Sequence, residues 1–221
     1  MLVYIVVIMV VNHKNNDRYQ KGLKMRVTKE QKEQTRIKII GAAGRSFRSY
    51  GYSGIGVDGL AKEAGVTSGA FYSHFGSKSG AFDMALIAGL DEVIEAIPQF
   101  QSKHGADWVK AFVDYYLGKQ HRNDLACGCA MTTLTPEVVR AGPKVHAVFE
   151  EKMDSIANLV AQGLAGPSDK DCRARAWSML SLLIGGLTIA RAMKSAKTTN
   201  EVAEVIKATA IKAAGRTRVT V

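Results

Sequence analysis

At 221 residues the chain is long enough for one large or two small domains with a buried core, and its formal net charge of +10 favours a polyanionic partner over a cationic one. Its three cysteines, Cys127, Cys129 and Cys172, have no disulfide spacing, which excludes a disulfide-stapled secreted scaffold and points to a reducing, cytoplasmic setting. No P-loop, GxGxxG, HExxH or Ser/His/Asp order occurs, so nothing supports an enzyme, and no cofactor is expected.

The basic excess lies at the front of the chain. Residues 1–24 hold four Lys and Arg against one acidic residue, residues 25–80 hold nine against four, and residues 81–221 hold seventeen against fifteen. That distribution is the footprint of a nucleic-acid partner on the N-terminal third, with ordinary solubility charge as the bland alternative. The opening MLVYIVVIMVV is apolar but falls short of the roughly 20 residues a membrane span needs. It also lacks the flanks of a signal peptide. Residues 1–27 are read as an N-terminal extension, disordered or lying ahead of a true start at Met25. An aggregation-prone tail and a weak membrane tether are the rival readings. No membrane is expected among the partners of the folded part.

Helix one is predicted from about Thr28 to Tyr50, with Ile37, Ile40, Ala43 and Phe47 as its buried stripe and Gly51 as its stop. The next stretch reads VDGLAKEAGVTSGAFYSHFGSK over residues 57–78. Val57, Leu60, Ala61 and Ala64 put small and apolar side chains on one face of a helix that starts near Gly56. Gly65 supplies the turn, and Thr67 caps a short third helix running to about His74. Phe71 and Phe75 supply its inward face. Ser77 caps a fourth helix that ends at about Ile97, where Pro98 is expected to stop it. Two short helices joined by a Gly turn form a helix-turn-helix, spanning residues 56–75.

These pieces resemble the DNA-binding domain of the tetracycline-repressor (TetR) family of bacterial transcription regulators. The match is carried by RIKIIGAAGRSF, the Gly51-Tyr52 pair, Leu60-Ala61 and AGVTSGAFYSHFGSK. The resemblance implies a domain at residues 28–80 that touches DNA through Thr67, Ser68, Gly69, Ala70, Tyr72, His74 and Lys78. Thr67, Ser68 and the first backbone N–H groups of helix three suit phosphate oxygens. The small Ser68, Gly69 and Ala70 let the helix sit deep, and Ala70 suits a thymine methyl. Tyr72 is either a DNA contact or core, and His74 either a contact or a locally satisfied helix-end residue. Lys78 would be a phosphate clamp, and Tyr52 a further phosphate contact. Two departures stand out: Gly56 is a weaker cap for helix two than Ser or Thr, and Asp58 brings an acid to its first turn.

Past helix four the chain reads as more helix: about 107–121, 127–140, 143–164, a long one capped by Ser168 to about 194, and a last one over about 200–214. The whole is all-α, about nine helices. Residues 81–221 form a helical ligand-binding and dimerisation domain, a role implied by the resemblance. The helix from Trp177 to Ile189 is apolar nearly all round, so it is buried on more than one side. Gly185-Gly186 would let a second copy approach closely, and the resemblance implies a homodimer through the last two helices.

Trp108, Phe112, Tyr115, Tyr116, Met131, Phe149, Met153 and Trp177 are either simple core or the lining of a pocket for an apolar or aromatic inducer. The Gly128-Cys129-Ala130 run, followed by Pro136-Glu137-Val138, resembles a subgroup of the family with an electrophile- or oxidant-sensing cysteine. Cys129 is the matching residue, acidified if it lies at a helix N-terminus, or else a small buried apolar residue. His121, Cys127 and Cys129 have irregular spacing, so no metal site is expected. The leading function is a homodimeric, sequence-specific transcription regulator, a repressor. It would bind a palindromic double-stranded operator and be released by a small apolar or electrophilic inducer or by thiol modification. The alternative is a nonspecific nucleoid-type DNA-binding protein without a ligand switch.

Overall fold

The computed structural model describes residues 28–218. The expected N-terminal extension lies outside them. Among the described residues the fold is all-α, with one isolated bridge between Leu164 and Thr217. The helices are α1 (Lys29–Tyr50), α2 (Val57–Ala64), α3 (Ser68–Phe75), α4 (Lys78–His104), α5 (Trp108–Tyr116), α6 (Lys119–Asn123), α7 (Ala130–Thr133), α8 (Thr135–Val139), α9 (Pro143–Gln162), α10 (Asp169–Ala192) and α11 (Ala196–Ala214). The expected nine become eleven because two of them break. At Gly118 a Cβ would lie 2.8 Å from the Asp114 carbonyl oxygen, and there the expected fifth helix splits into α5 and α6. The expected sixth splits at Leu134 into α7 and α8.

Thr28 and Gln31 form a reciprocal capping box at the start of α1. The buried face of α1 is Ile39, Ala42, Ala43, Ser46 and Phe47. Ile37 is 48% exposed, so the stripe is turned from the expected one. The register is set by Ile39 and Phe47 closing on Leu60, Ala61 and Phe71 of α2 and α3 and on Phe82 and Leu86 of α4, all in one core.

α4 continues through Pro98 instead of stopping there. A mid-helix proline removes one backbone bond and costs about 3 kcal/mol. Three contacts offset it. Ile97 is fully buried, Phe100 meets Phe112 edge-on at 5.3 Å, and Gln101 Nε2 donates to the Leu159 carbonyl at 2.8 Å. α4 thus joins the N-terminal three-helix head to a body in which α9 and α5 pack along it, while α10 packs on α9 and α11. Between Arg175 and Arg191, α10 carries no charged side chain. Gly186 faces α11, where a Cβ would lie 2.6 Å from Ile206 Cγ2, whereas Gly185 opens onto free space. The expectation that both glycines meet a second copy is therefore corrected: Gly186 serves packing within the protomer. No described helix is long and apolar enough to cross a membrane.

Candidate nucleic-acid interface

The turn between α2 and α3 is built from Gly65, whose φ of +67° lies in the left-handed region. Its N–H bonds Lys62 O at 3.0 Å and the Val66 N–H bonds Ala61 O at 2.9 Å, the paired bonds of a Schellman stop. Thr67 then caps α3 by accepting the Ala70 N–H at 3.2 Å. Gly56 caps α2 without any side-chain bond.

Phe71 is fully buried and Phe75 packs against the same core, so the opposite side of α3 is presented outward. Tyr72 stands there at 50% exposure. Thr67 and Gly69 are exposed beside it, while Ser68, Ala70 and His74 are half-buried. The Ser68 hydroxyl donates to Asp58 Oδ1 at 2.6 Å, tying the first turns of α2 and α3 together. Asp58 therefore has a local partner as well as a place at the positive end of α2. At the head of α4, Lys78 Nζ lies 4.5 Å from the centre of the Tyr52 ring. That ring is stacked on Phe47 at 5.8 Å and meets Phe82 edge-on at 5.4 Å. The eight expected contact residues thus fall on α3, the head of α4 and the Tyr52 corner.

The expected ligand-lining set is scattered through the body. Trp108, Phe112, Tyr116, Met131 and Met153 are buried core, and Phe149 and Trp177 pack half-buried against it. Trp108 Nε1 donates to the Gly163 carbonyl at 3.1 Å. Tyr115 is 55% exposed and stacks on His121 at 5.2 Å, so it does not belong to an enclosed pocket. An open cleft of about 450 Å³ lies at the α9–α10 corner, lined by Ala165, Gly166, Pro167, Asp171, Arg175 and Arg216, none of them in the expected set.

Cys129 sits before α7, which has only four residues and so little dipole to offer. Burial pushes its thiol up, and bonds from Tyr116 and from the Met131 and Thr132 backbone, with the Arg48 charge, only partly oppose that. Of the two readings of Cys129, its raised thiol pKa fits the small buried residue and not the acidified one. Around it, His121 Nδ1 lies 2.7 Å from the Tyr116 carbonyl and its Nε2 accepts the Cys129 N–H at 3.1 Å. That places the ring proton on Nδ1. Both ring nitrogens are engaged, and burial pushes the imidazole below its ordinary value of 6.5. Sequence reasoning missed Arg191, whose Nη2 reaches the His121 and Asp124 carbonyls at 2.8 and 3.0 Å and closes this loop from α10.

A capped helix-turn-helix on an all-helical body is the build of a DNA-binding regulator. Residues 39–83 match the bacterial regulatory proteins of the tetR family. The regulator AcrR of Shigella flexneri is 35% identical over 82 residues, which spans 37% of this chain and 38% of AcrR. The repressor NemR of Escherichia coli is 22% identical over 150 residues, 66% of this chain and 75% of NemR. The crystal structure of reduced E. coli NemR superposes with a TM-score of 0.66 at 19% identity, covering 79% of this chain and 96% of that one. Residues 39–83 thus match the DNA-binding domain of the tetR family, and the described residues share the fold of the reduced NemR structure.

Proposed function

We propose that this chain is a homodimeric, sequence-specific repressor that lays α3 in the major groove of a palindromic operator and is released by an inducer or by modification of Cys129. The observation that carries the reading is the exposed Tyr72 on a helix whose other side is fixed by Phe71. Thr67, Ser68, Gly69 and Ala70 surround it with little bulk, which suits close approach to base edges. Tyr52 and Lys78 stand beside them for phosphate, and His74 closes the helix. The dimer face is assigned to α10 and α11, where Ser178, Ser181, Thr188, Ile189, Val205 and Ala208 are exposed and uncharged. Such a protein works in the cytoplasm, without a cofactor and without catalysis.

An apolar inducer would enter among the aromatic residues of the body. These are packed, so its binding is coupled to rearrangement of the helices. The test starts from a duplex enriched from a random-sequence pool by the wild-type chain. Binding to that duplex and to a shuffled one is compared at fixed salt. A half-site pair about one helical turn apart supports the reading. Enrichment of no common sequence overturns it.

A further inference from the structure

The DNA-reading head and the body exchange two polar side chains across their junction. From α1, Arg48 enters the body with its side chain only 7% exposed, and its Nη2 lies 3.4 Å from Glu92 Oε2. A Cβ on Gly89 would lie 2.5 Å from that guanidinium and 2.7 Å from Ala130 Cβ, so Arg48 fills the seam between α4 and the start of α7. From α8, Glu137 returns the contact. Its Oε1 accepts the Tyr52 N–H at 3.2 Å and would stand 3.0 Å from a Cβ on Gly51. Gly51, at φ +72°, both permits the backbone turn and leaves room for the carboxylate.

A chain of contacts runs outward from Glu137. The carboxylate holds the Tyr52 backbone, the Tyr52 ring is wedged between Phe47 and Phe82, and its face carries the Lys78 ammonium. A hydrogen bond to a charged acceptor in a partly buried place outweighs a neutral one. A ring face holds a lysine without consuming its three N–H donors. The ammonium is thereby pre-set while its donors stay available to phosphate.

We infer that Glu137 is a positioning residue for DNA binding: it fixes the Gly51–Tyr52 corner, and through the Tyr52 ring it sets the Lys78 ammonium at the head of α4. Because Glu137 rides on α7–α8, the segment that begins at Cys129 and encloses the tip of Arg48, displacement of that segment reaches the DNA-contact surface at Tyr52. The inference rests on the proposed role of Lys78 as a phosphate contact.

The test uses the full chain and the duplex enriched by wild type, with Glu137→Ala, Glu137→Gln, Lys78→Ala and the Glu137→Ala/Lys78→Ala double variant. Lys78→Ala weakening binding sustains the reading of the interface, and an unchanged affinity removes that reading. Given a working Lys78, Glu137→Ala should weaken binding by about tenfold. Glu137→Gln, whose amide oxygen still accepts the Tyr52 N–H, should stay within about threefold of wild type. In the Lys78→Ala background the further loss from Glu137→Ala should shrink to about twofold or less, the mark of two groups acting as one. A Lys78→Ala loss with no loss from Glu137→Ala, or full additivity of the two, overturns the inference, and so does failure of Gln to rescue.

Discussion

In the proposed interface Lys78 and Tyr52 divide the work of binding: the ring holds the ammonium at 4.5 Å, and the ammonium is the proposed phosphate contact. Lys78→Ala is expected to weaken all duplexes similarly and to shallow the slope of log affinity against log salt by about one, measured by titration across a salt series. Tyr72→Ala should cost more on the enriched duplex than on a shuffled one, since its exposed ring lies among the proposed base-reading positions. In the body, His121 is held neutral, its pKa lowered by burial and by the Arg191 charge, although the Tyr116 carbonyl and Asp124 act the other way. A lowered folded pKa means that the unfolded chain takes up the proton first. His121 stabilises the fold above pH 6.5, and that share is lost as pH falls below this value toward its depressed folded pKa. Thermal melts over this range should show a drop that His121→Gln lessens. Cys129 titrates the opposite way: its raised pKa leaves it a thiol at neutral pH. Alkylation of Cys129, read in a variant with the other two cysteines replaced by serine, should be slower than that of a small free thiol and should speed up with rising pH.

Among the elements, α10 gives the sharpest contrast. Gly186→Ala would press a methyl onto Ile206 and should destabilise the protomer by about 1–3 kcal/mol in denaturant melts. Gly185→Arg meets open space, so the protomer should keep its stability while sedimenting as a monomer with much weaker duplex binding. A stable Gly185→Arg dimer would move the dimer face elsewhere. The difference between these neighbours was hidden in the sequence, because a Gly-Gly pair says that space is tight without saying against what. The head was more legible. Thr67, Ser77, Gly65 and the Phe71 face act locally, over a turn or two, and local chemistry is written in order along the chain. The same holds for Ser168 and Pro143 at the starts of α10 and α9. What the sequence concealed was tertiary. Ile39 replaced Ile37 in the α1 core because α2 and α3 set the register, and Pro98 stayed helical because α5 and α9 grip its flanks. Nothing in their own helices announces the partners that Arg48 and Glu137 find across the junction. Cys129 was placed near a helix start, but burial of its thiol outweighs the dipole of so short a helix.

At the scale of the molecule, the proposed dimer holds two heads at one spacing through α10 and α11, each presenting α3, with α7–α8 linking the body to the Tyr52 corner. The concentration of basic residues on the N-terminal third explains attraction to DNA of any sequence. In the proposed repressor, sequence preference is assigned to Tyr72 and the small residues around it. In the proposed switch, an inducer or a modified Cys129 would weaken binding only by its preference for a body in which the heads are spaced differently. The most direct measurement is therefore a competition titration at one fixed salt concentration, with the duplex enriched by wild type against a shuffled duplex of the same length. The account predicts a preference of at least about a thousandfold, with one dimer bound per duplex. Equal affinity for the two duplexes would contradict it, leaving a basic surface that binds DNA without reading it.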